Sequence, residues 1–528
     1  VSGRQSNTYL ENVKDSKVEA TKDILNDICK KEKLYQTSNH DSSRLHFISE
    51  LVASYTALTD SYIQLAMAPT QQFQSGGRQL TKDIALSLVN RVSGRGVGSS
   101  NLQTCLGKRG TQIFKHLPCI ITRPPTLQPN GDYTDLIGSE LIASFDPTFS
   151  LTETGLHRPK IIICRGGDGR KYKQLVKGED DIRQDAVMEQ IFFTVNKMLR
   201  KKNDNYPGQQ KGSDTVIARE LKIATYNIIP LSPASGVLEW VDDTIPFGDY
   251  LLDKGGGSKA TVGAHSRYYP GEWGNSLCRS HLRCAPPQSK REAFDEICRH
   301  FSPAFRFFFL ERFSFCPQQW HNARMLYTRS CAVSSIVGHV LGIGDRHSHN
   351  ILINEKTGEV VHIDFGIVFE QGKLLTSPET IPFRLTRDIV DGFGPCGTEG
   401  IFSCAAERTM LTLRENANPL LTILSAVVSD PLYKWSVSPV KALQKQRDDR
   451  NVIVQGSGKS STQITSSDDD ENDAARRAIS KIKEKLQGYE DGTGGESQSV
   501  EGQVRLLINA ARDRDNLCAL YFGWCPWL

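Results

Sequence analysis

The chain has 528 residues, 38% hydrophobic and 23% charged, which supplies apolar material for a large core and, at ~150 residues per domain, for roughly three or four domains or one catalytic unit with appendages. Its net charge of +4 is too weak for a globally basic nucleic-acid glove. Thirteen cysteines without a single Cys-x-x-Cys leave neither a zinc ribbon nor a disulfide framework to read, and free thiols in a reducing compartment are expected. No apolar run approaches the ~20 residues of a membrane span, and no signal peptide opens the chain. With Val1 as its first residue, the sequence reads as the C-terminal part of a longer protein.

In chain order, Val18, Leu25, Ile28 and Leu34, then Leu45, Ile48, Val52, Tyr55, Tyr62 and Leu65, recur at helical spacing, up to Pro69 and Ser75-Gly76-Gly77. Two such helices without a sheet partner suggest the end of a helical array or a collar. From Lys160 the period changes to two. Lys160–Arg165 and Lys171–Lys177 predict strands joined at Asp168-Gly169. A helix is expected over Arg183–Leu199, with strands over Leu221–Leu231 and Val237–Val241. The polar, glycine-rich segment 253–275 reads as a loop or insertion. Helical patterns fill 290–342. A hairpin follows, Ile351–Asn354 and Glu359–Asp364 turning at Thr357-Gly358, and then helix over 400–430. Strands first and helices afterwards make an α+β body of two lobes. Residues 456–473 are polar, Ser-rich and then acidic, a linker composition. A charged helix is expected over Ala474–Leu486. Ser499–Leu528 is amphipathic and ends in Tyr521, Phe522, Trp524 and Trp527.

Two glycine-rich stretches carry little weight. Gly456-Ser457-Gly458-Lys459-Ser460 resembles the end of a P-loop, but Ile453 stands where that pattern needs glycine. Gly166-Gly167-Asp168-Gly169 sits where a tight turn needs glycine anyway. The informative region is Gly344–Gly366. Asp345 and His347 precede the hairpin, Asn350 opens its first strand, and Asp364 closes its second. A hairpin brings its ends together, so Asn350 and Asp364 can share one Mg²⁺, an ion that prefers oxygen ligands. Phosphoryl transfer also needs a carboxylate near the attacking hydroxyl and a donor for the developing charge, for which Asp345 and His347 are suited. A strand lysine beside carboxylates should bind phosphate, and Lys177 with Asp180, Asp181 and Asp185 fits that requirement.

Asp345-Arg346-His347 reverses the His-Arg-Asp order of ordinary protein kinases. With Asn350, Asp364-Phe365-Gly366 and the block Lys177–Asp185, it resembles the phosphatidylinositol-3-kinase-related kinases. The segment Gly502–Leu528 resembles their terminal FATC domain, and the first ~75 residues the end of their helical FAT collar. That resemblance implies a two-lobed PI3K/PI4K-like protein kinase fold. Its divisions would be FAT end at 1–75, kinase N-lobe at 76–242, C-lobe at 243–435, regulatory linker at 436–498 and FATC at 499–528. Within the family, Ser235–Trp240, Pro378–Asp388 and Ser438–Leu443 lean to the ataxia-telangiectasia-mutated (ATM/Tel) branch, while Gly394–Gly400 and Ser499–Val504 lean to its Rad3-related sister, ATR; the long activation-segment match decides for the former. The resemblance further implies an adenine pocket lined by Tyr226, Leu238, Glu239, Trp240, Val241 and Thr244 over a floor of Leu352 and Ile363. Lys177, Asp180 and Asp185 would attend the phosphates under a loop at 152–159. ATP with Mg²⁺ (or Mn²⁺), protein substrates with Ser/Thr-Gln sites, double-strand-break signalling in the nucleus, a homodimer and a DNA-end sensor complex of the MRN type are what it implies beyond the chain.

The segment after Asp364 bears on the substrate. A phosphoinositide headgroup carries several negative charges and needs a run of Lys or Arg. Between Ile367 and Pro382 there is one basic residue, Lys373, against Glu370 and Glu379. A protein hydroxyl suits it better; a phosphoinositide kinase and a catalytically dead scaffold are the alternatives. The aromatic terminus is expected either to fill the core's surface or to dock beside Ile367–Pro382.

Overall fold

The computed structural model describes residues 62–63, 65–67, 142–145, 149–152, 159–166, 170–179, 181–204, 221–254, 261–375, 377–428, 468–491 and 494–528. The predicted N-terminal helices, apart from a few residues around Tyr62 and Leu65, lie outside them. So do Asp180, most of the 152–159 loop, the Gly167–Gly169 turn and most of the 456–473 linker. The chain divides into two compact units, residues 1–189 with 226–242, and residues 190–225 with 243–528. The expected α+β character, strands first and helices afterwards, is what the structure has.

The first unit is built on β1 (Ile142–Phe145), β2 (Ser150–Leu151), β3 (Lys160–Gly166), β4 (Lys171–Gly178), β5 (Ile228–Ser232) and β6 (Ser235–Glu239). They form an antiparallel sheet in the order β1-β3-β4-β6-β5, with β2 also on β3. Alternation along β4 sends Gln174, Val176 and Gly178 to the buried face and Lys177 to the other. On the buried face Tyr62 donates its hydroxyl to Gln174 Oε1 at 2.6 Å, and Lys160 Nζ bonds Ala66 O at 2.8 Å. Gly178 is obligatory there, since a Cβ would stand 2.2 Å from Ala66 O.

Helix α1 (Arg183–Asp204) starts in this unit and passes into the second after Glu189. It outruns the expected end at Leu199. The strand expected from Leu221 begins only at Ile228. In the second unit, Asn196 accepts from Ile223 N at 2.9 Å and donates to Ile223 O at 2.8 Å. A helix side chain thus takes the hydrogen bonds that a neighbouring strand would have made.

The rest of the second unit is a three-stranded sheet, β7 (Thr244–Pro246), β8 (Ile351–Asn354) and β9 (Val360–His362), in the order β7-β8-β9, set among helices. These are α2 (Phe247–Leu251), α3 (Ala264–Tyr268), α4 (Asn275–Cys284), α5 (Lys290–His300), α6 (Arg306–Phe313), α7 (Pro317–Leu341), α8 (Arg387–Asp391), α9 (Ile401–Glu415), α10 (Ala417–Val428), α11 (Asp468–Leu486), α12 (Val500–Arg512) and α13 (Arg514–Ala519). Every residue of α7 from Ser330 to Leu341 is buried, as suits a helix apolar on all sides. Phe305, Phe308, Phe309 and Tyr327 pack ring on ring at 5.2–5.7 Å where α6 meets α7. Gly342 ends α7 with φ 62°, and Ile343 N reaches back to Gly338 O at 2.8 Å. A Cβ on Gly342 would also meet Glu370 N at 2.4 Å, so glycine is required twice over where the chain leaves the helix. In the C-terminal segment the Ser499 hydroxyl caps α12 and the Asp513 carboxylate caps α13. Among the described residues no helix is long and apolar enough to cross a membrane.

Candidate active site

The hairpin places its candidates as its topology requires. β8 and β9 pair from Ile351↔His362 to Ile353↔Val360. Just beyond, Ile363 N donates to Asn350 O at 3.1 Å, which brings Asn350 to the hairpin's open end with Asp364 next along the chain. Asp364 lies two residues past the end of β9 rather than inside a strand running from Glu359 to Asp364. Asp345 and Asp364 both hold left-handed backbones, φ 54° and 61°, which non-glycine residues keep only where the surroundings fix them.

The element that fixes them is Arg346, buried and surrounded by carbonyls. Its Nε donates to Gly344 O at 2.9 Å, Nη1 to Ile363 O at 2.8 Å and Asn350 O at 3.5 Å, and Nη2 to Asp364 O. One rigid fork thus staples the loop before the hairpin to the turn after it. Its guanidinium also lies over the Phe365 ring at 5.5 Å, and Phe192 meets Phe365 edge-on at 5.1 Å.

Asp345 is held through its main chain. Its N–H donates to Glu379 Oε1 at 2.8 Å, and its carbonyl accepts from Asn350 Nδ2 at 3.0 Å. Burial pushes the Glu379 carboxyl up to about 7. Burial also drives His347 down to about 4, so it is neutral at physiological pH. His349 N donates to His347 Nδ1 at 3.1 Å; a neutral ring that accepts at Nδ1 carries its proton on Nε2. His347 is therefore a donor without a charge.

The Asn350 amide nitrogen is spent on Asp345 O, which leaves its oxygen as the coordinating atom. Asp364 Oδ1 accepts from Gly366 N at 3.2 Å. Two hard oxygen donors fit a divalent ion that completes its shell with phosphate oxygens and water. No group of three or more His, Cys, Asp or Glu able to hold a metal occurs among the described residues. Leu352, buried on β8, Ile363 and Thr244 belong to this same unit.

In the first unit, Lys177 lies on β4 opposite Gly236 of β6. Asp181 is taken by Arg183, whose Nε and Nη2 reach its two oxygens at 2.9 and 2.5 Å. It is thus the helix's N-terminal partner, while Asp185 is buried in the first turn of α1. Tyr226 and Leu238 are buried, and Glu239, Trp240 and Val241 half-buried. Glu239 Oε2 accepts from Asn227 N at 2.9 Å, and burial raises its carboxyl to about 7. Lys173 Nζ lies 5.9 Å from the Trp240 ring.

The contacts of four residues escaped the sequence reading. Arg346 stood between two singled-out residues, but its partners are carbonyls, which have no residue identity. Glu379 was counted only as a charge. Glu189, buried, accepts from Tyr226 N at 3.1 Å through Oε2 while Oε1 has no hydrogen-bond partner; its i,i+4 spacing from Asp185 was the available signal. Trp524 donates Nε1 to Asp345 Oδ1 at 3.3 Å. The aromatic terminus does dock beside the activation segment: Thr380 Oγ1 donates to Asn516 O at 3.0 Å, and Arg384 to Trp524 O at 2.7 Å. It also fills core, since Trp527 and Leu528 are fully buried.

Residues 171–437 match the phosphatidylinositol 3- and 4-kinase family, and residues 497–528 the FATC domain. The chain is 46% identical over 375 residues to the serine/threonine-protein kinase ATM of Arabidopsis thaliana, covering 71% of this chain and 9% of that protein. It is 39% identical over 490 residues to the serine-protein kinase ATM of Sus scrofa, covering 91% and 14%. The chain therefore spans about a tenth of the length of these curated relatives. Among solved structures it is similar to the FAT and kinase domain of CtTel1, with TM-score 0.69 and 34% identity over 94% of this chain and 30% of that one. The complete C2-symmetric CtTel1 dimer matches with TM-score 0.69 and 33% identity, over 94% and 16%.

Proposed function

Since the chain belongs to the phosphatidylinositol 3- and 4-kinase family, we propose that it is an ATP-dependent serine/threonine protein kinase of the ATM/Tel type. The carrying observation is the Arg346 staple, which gathers Asp345, His347, Asn350 and Asp364 at one hairpin mouth. Asp345 takes the proton from the substrate hydroxyl as its oxygen attacks the γ-phosphorus, and the bond from that phosphorus to the β–γ bridging oxygen breaks to release ADP. His347, neutral with its proton on Nε2, donates to the phosphoryl oxygens where charge accumulates. Asn350 and Asp364 would hold the divalent ion, Mg²⁺ or Mn²⁺. When bound, such an ion would supply positive charge against that developing on the transferred phosphoryl group. Lys177 supplies a point charge to the phosphates, with Asp180 and Asp185 near it in sequence. Tyr226, Leu238, Glu239, Trp240, Val241, Thr244, Leu352 and Ile363 take the adenine.

A protein rather than a phosphoinositide substrate is supported by the fate of Lys373, the one basic residue between Ile367 and Pro382. Its ammonium is 2.7 Å from Glu370 Oε2 and 3.0 Å from Asp491 Oδ2, so its charge is already answered. From the sequence motifs' resemblance to the ATM/Tel branch we further infer Ser/Thr-Gln sites, double-strand-break signalling in the nucleus and recruitment by a DNA-end sensor of the MRN type, and a symmetric homodimer is supported by the similarity to the C2-symmetric CtTel1 dimer. The test is phosphate transfer from ATP to a Ser-Gln peptide, a Ser-Asn control and phosphoinositide vesicles. Transfer to the Ser-Gln peptide alone is expected; transfer to the vesicles alone, or to nothing, would refute the reading.

A further inference from the structure

The turn Gly523–Cys525 is anchored from two sides within its unit. Arg384, buried at the end of the activation segment, donates Nη1 to Trp524 O at 2.7 Å and Nη2 to Cys525 O at 3.0 Å, and Nη1 also reaches Arg346 O at 3.4 Å. One guanidinium therefore ties the tail turn to the catalytic loop. From α4, Arg279 donates Nε to Cys525 Sγ and Nη2 to Gly523 O, both at 3.2 Å. Cys525 holds φ 51°, a left-handed conformation that a cysteine keeps only where its surroundings over-determine it. Between these anchors the indole of Trp524, 8% exposed, meets Asp345 Oδ1 with its N–H at 3.3 Å.

Two other bonds on Asp345, from its N–H to Glu379 and from Asn350 Nδ2 to its carbonyl, hold its main chain. The indole acts on the carboxylate itself, and as a group that can only donate it pairs with an acceptor oxygen. A donor fixed on Oδ1 biases the torsion of the whole carboxylate. We propose that Trp524 is a positioning residue: its N–H orients the Asp345 carboxylate toward the substrate hydroxyl, so that the end of the chain completes the base. The proposal rests on the protein-kinase reading above. A base turned off line lowers the rate of the chemical step and leaves ground-state binding untouched.

Trp524→Phe in the 528-residue chain keeps an aromatic ring and removes the donor. Peptide phosphorylation should show kcat about tenfold lower, with KM for ATP, KM for peptide and Tm at wild-type values. Trp524→His, which returns a ring N–H, should recover part of the loss. A Phe variant with wild-type kcat overturns the proposal. So does a loss matched by equal losses in nucleotide binding and Tm, which would make the indole packing only. If the Phe variant does not fold, 3-benzothienylalanine at position 524 replaces the N–H by sulfur in a ring of the same shape, and the same outcomes decide. A wild-type chain that phosphorylates no Ser/Thr peptide refutes the kinase reading and this proposal with it; an active wild type with an unaffected donor-less variant refutes this proposal alone.

Discussion

Arg346 and Lys485 are both buried cations of the same unit, held by different chemistry. Arg346 is surrounded by four main-chain carbonyls, those of Gly344, Asn350, Ile363 and Asp364. Lys485, on α11, donates to His339 O at 2.6 Å and forms an ion pair with Glu370 of the activation segment. Around that pair, Lys373 bonds Glu370 and Asp491, while Glu490 takes His339 at 2.8 Å and Gln503 at 2.6 Å. The carbonyls that Arg346 bonds do not titrate, whereas Glu379, pushed up by burial to about 7, holds the neighbouring Asp345 N–H. The junction between α11, α12 and the activation segment is built of charge against charge and responds to pH and salt.

The two centres can be separated by substitution. Asp364→Ala removes the carboxylate proposed to hold the divalent ion and leaves intact the carbonyl that Arg346 uses. Phosphoryl transfer should fall by about a thousandfold or more while Tm stays near wild type. A steady-state kinase assay beside calorimetry checks this, and near-normal turnover with unchanged metal dependence would remove Asp364 from the site.

Arg346→Lys keeps the charge and loses the fork. Activity should fall about a hundredfold, because small displacements of catalytic groups cost that much, and the deficit should be the same on either side of neutrality. A deficit that varied with pH would mean the cradle is not the neutral scaffold described.

Lys485→Met keeps the volume and leaves the Glu370 carboxylate short of a cation. Breaking such a pair should cost on the order of 3 kcal/mol in urea unfolding. Burial alone pushes the Glu370 carboxyl up, but the Lys485 and Lys373 ammoniums outweigh it and hold it at about 2. A lowered carboxyl contributes stability that is present above the ordinary carboxylate range and lost as pH falls toward that lowered value. The variant should therefore lose its stability at a higher pH than wild type; coincident acid-unfolding curves would contradict the ion-pair account.

The smallest effect is expected in the first unit. Burial raises the Glu189 carboxyl well above its usual range. A raised carboxyl favours the fold at low pH, and that contribution is lost as pH rises through its folded-state value. Glu189→Gln retains an acceptor for Tyr226 N and cannot ionise, so it should stabilise by up to ~1 kcal/mol above neutrality and by nothing in acid. Equal unfolding midpoints at both pH values would show that Glu189 does not titrate in the fold.

The legible parts of the molecule were the local ones. Asp345, His347, Asn350 and Asp364 lie close enough in sequence for a hairpin to gather them, and the two-residue alternation of Lys160–Arg165 and Lys171–Lys177 marked β3 and β4 within a residue. Leu221–Tyr226 read as strand because its composition is apolar and β-branched. Periodicity reports which side chains are apolar, and it cannot report that Asn196 would take the backbone bonds of Ile223.

By itself the sequence determined the α+β order, the hairpin with its oxygen donors, and the acidic balance of the activation segment, because each depends on neighbours along the chain. Tertiary structure alone decided that Arg346 is surrounded by carbonyls, that Glu379 reaches Asp345 across 34 residues, and that Trp524 reaches it across 179. Main-chain carbonyls carry no residue identity, and contacts over such separations depend on how helices and loops pack in three dimensions, which no spacing along one chain encodes.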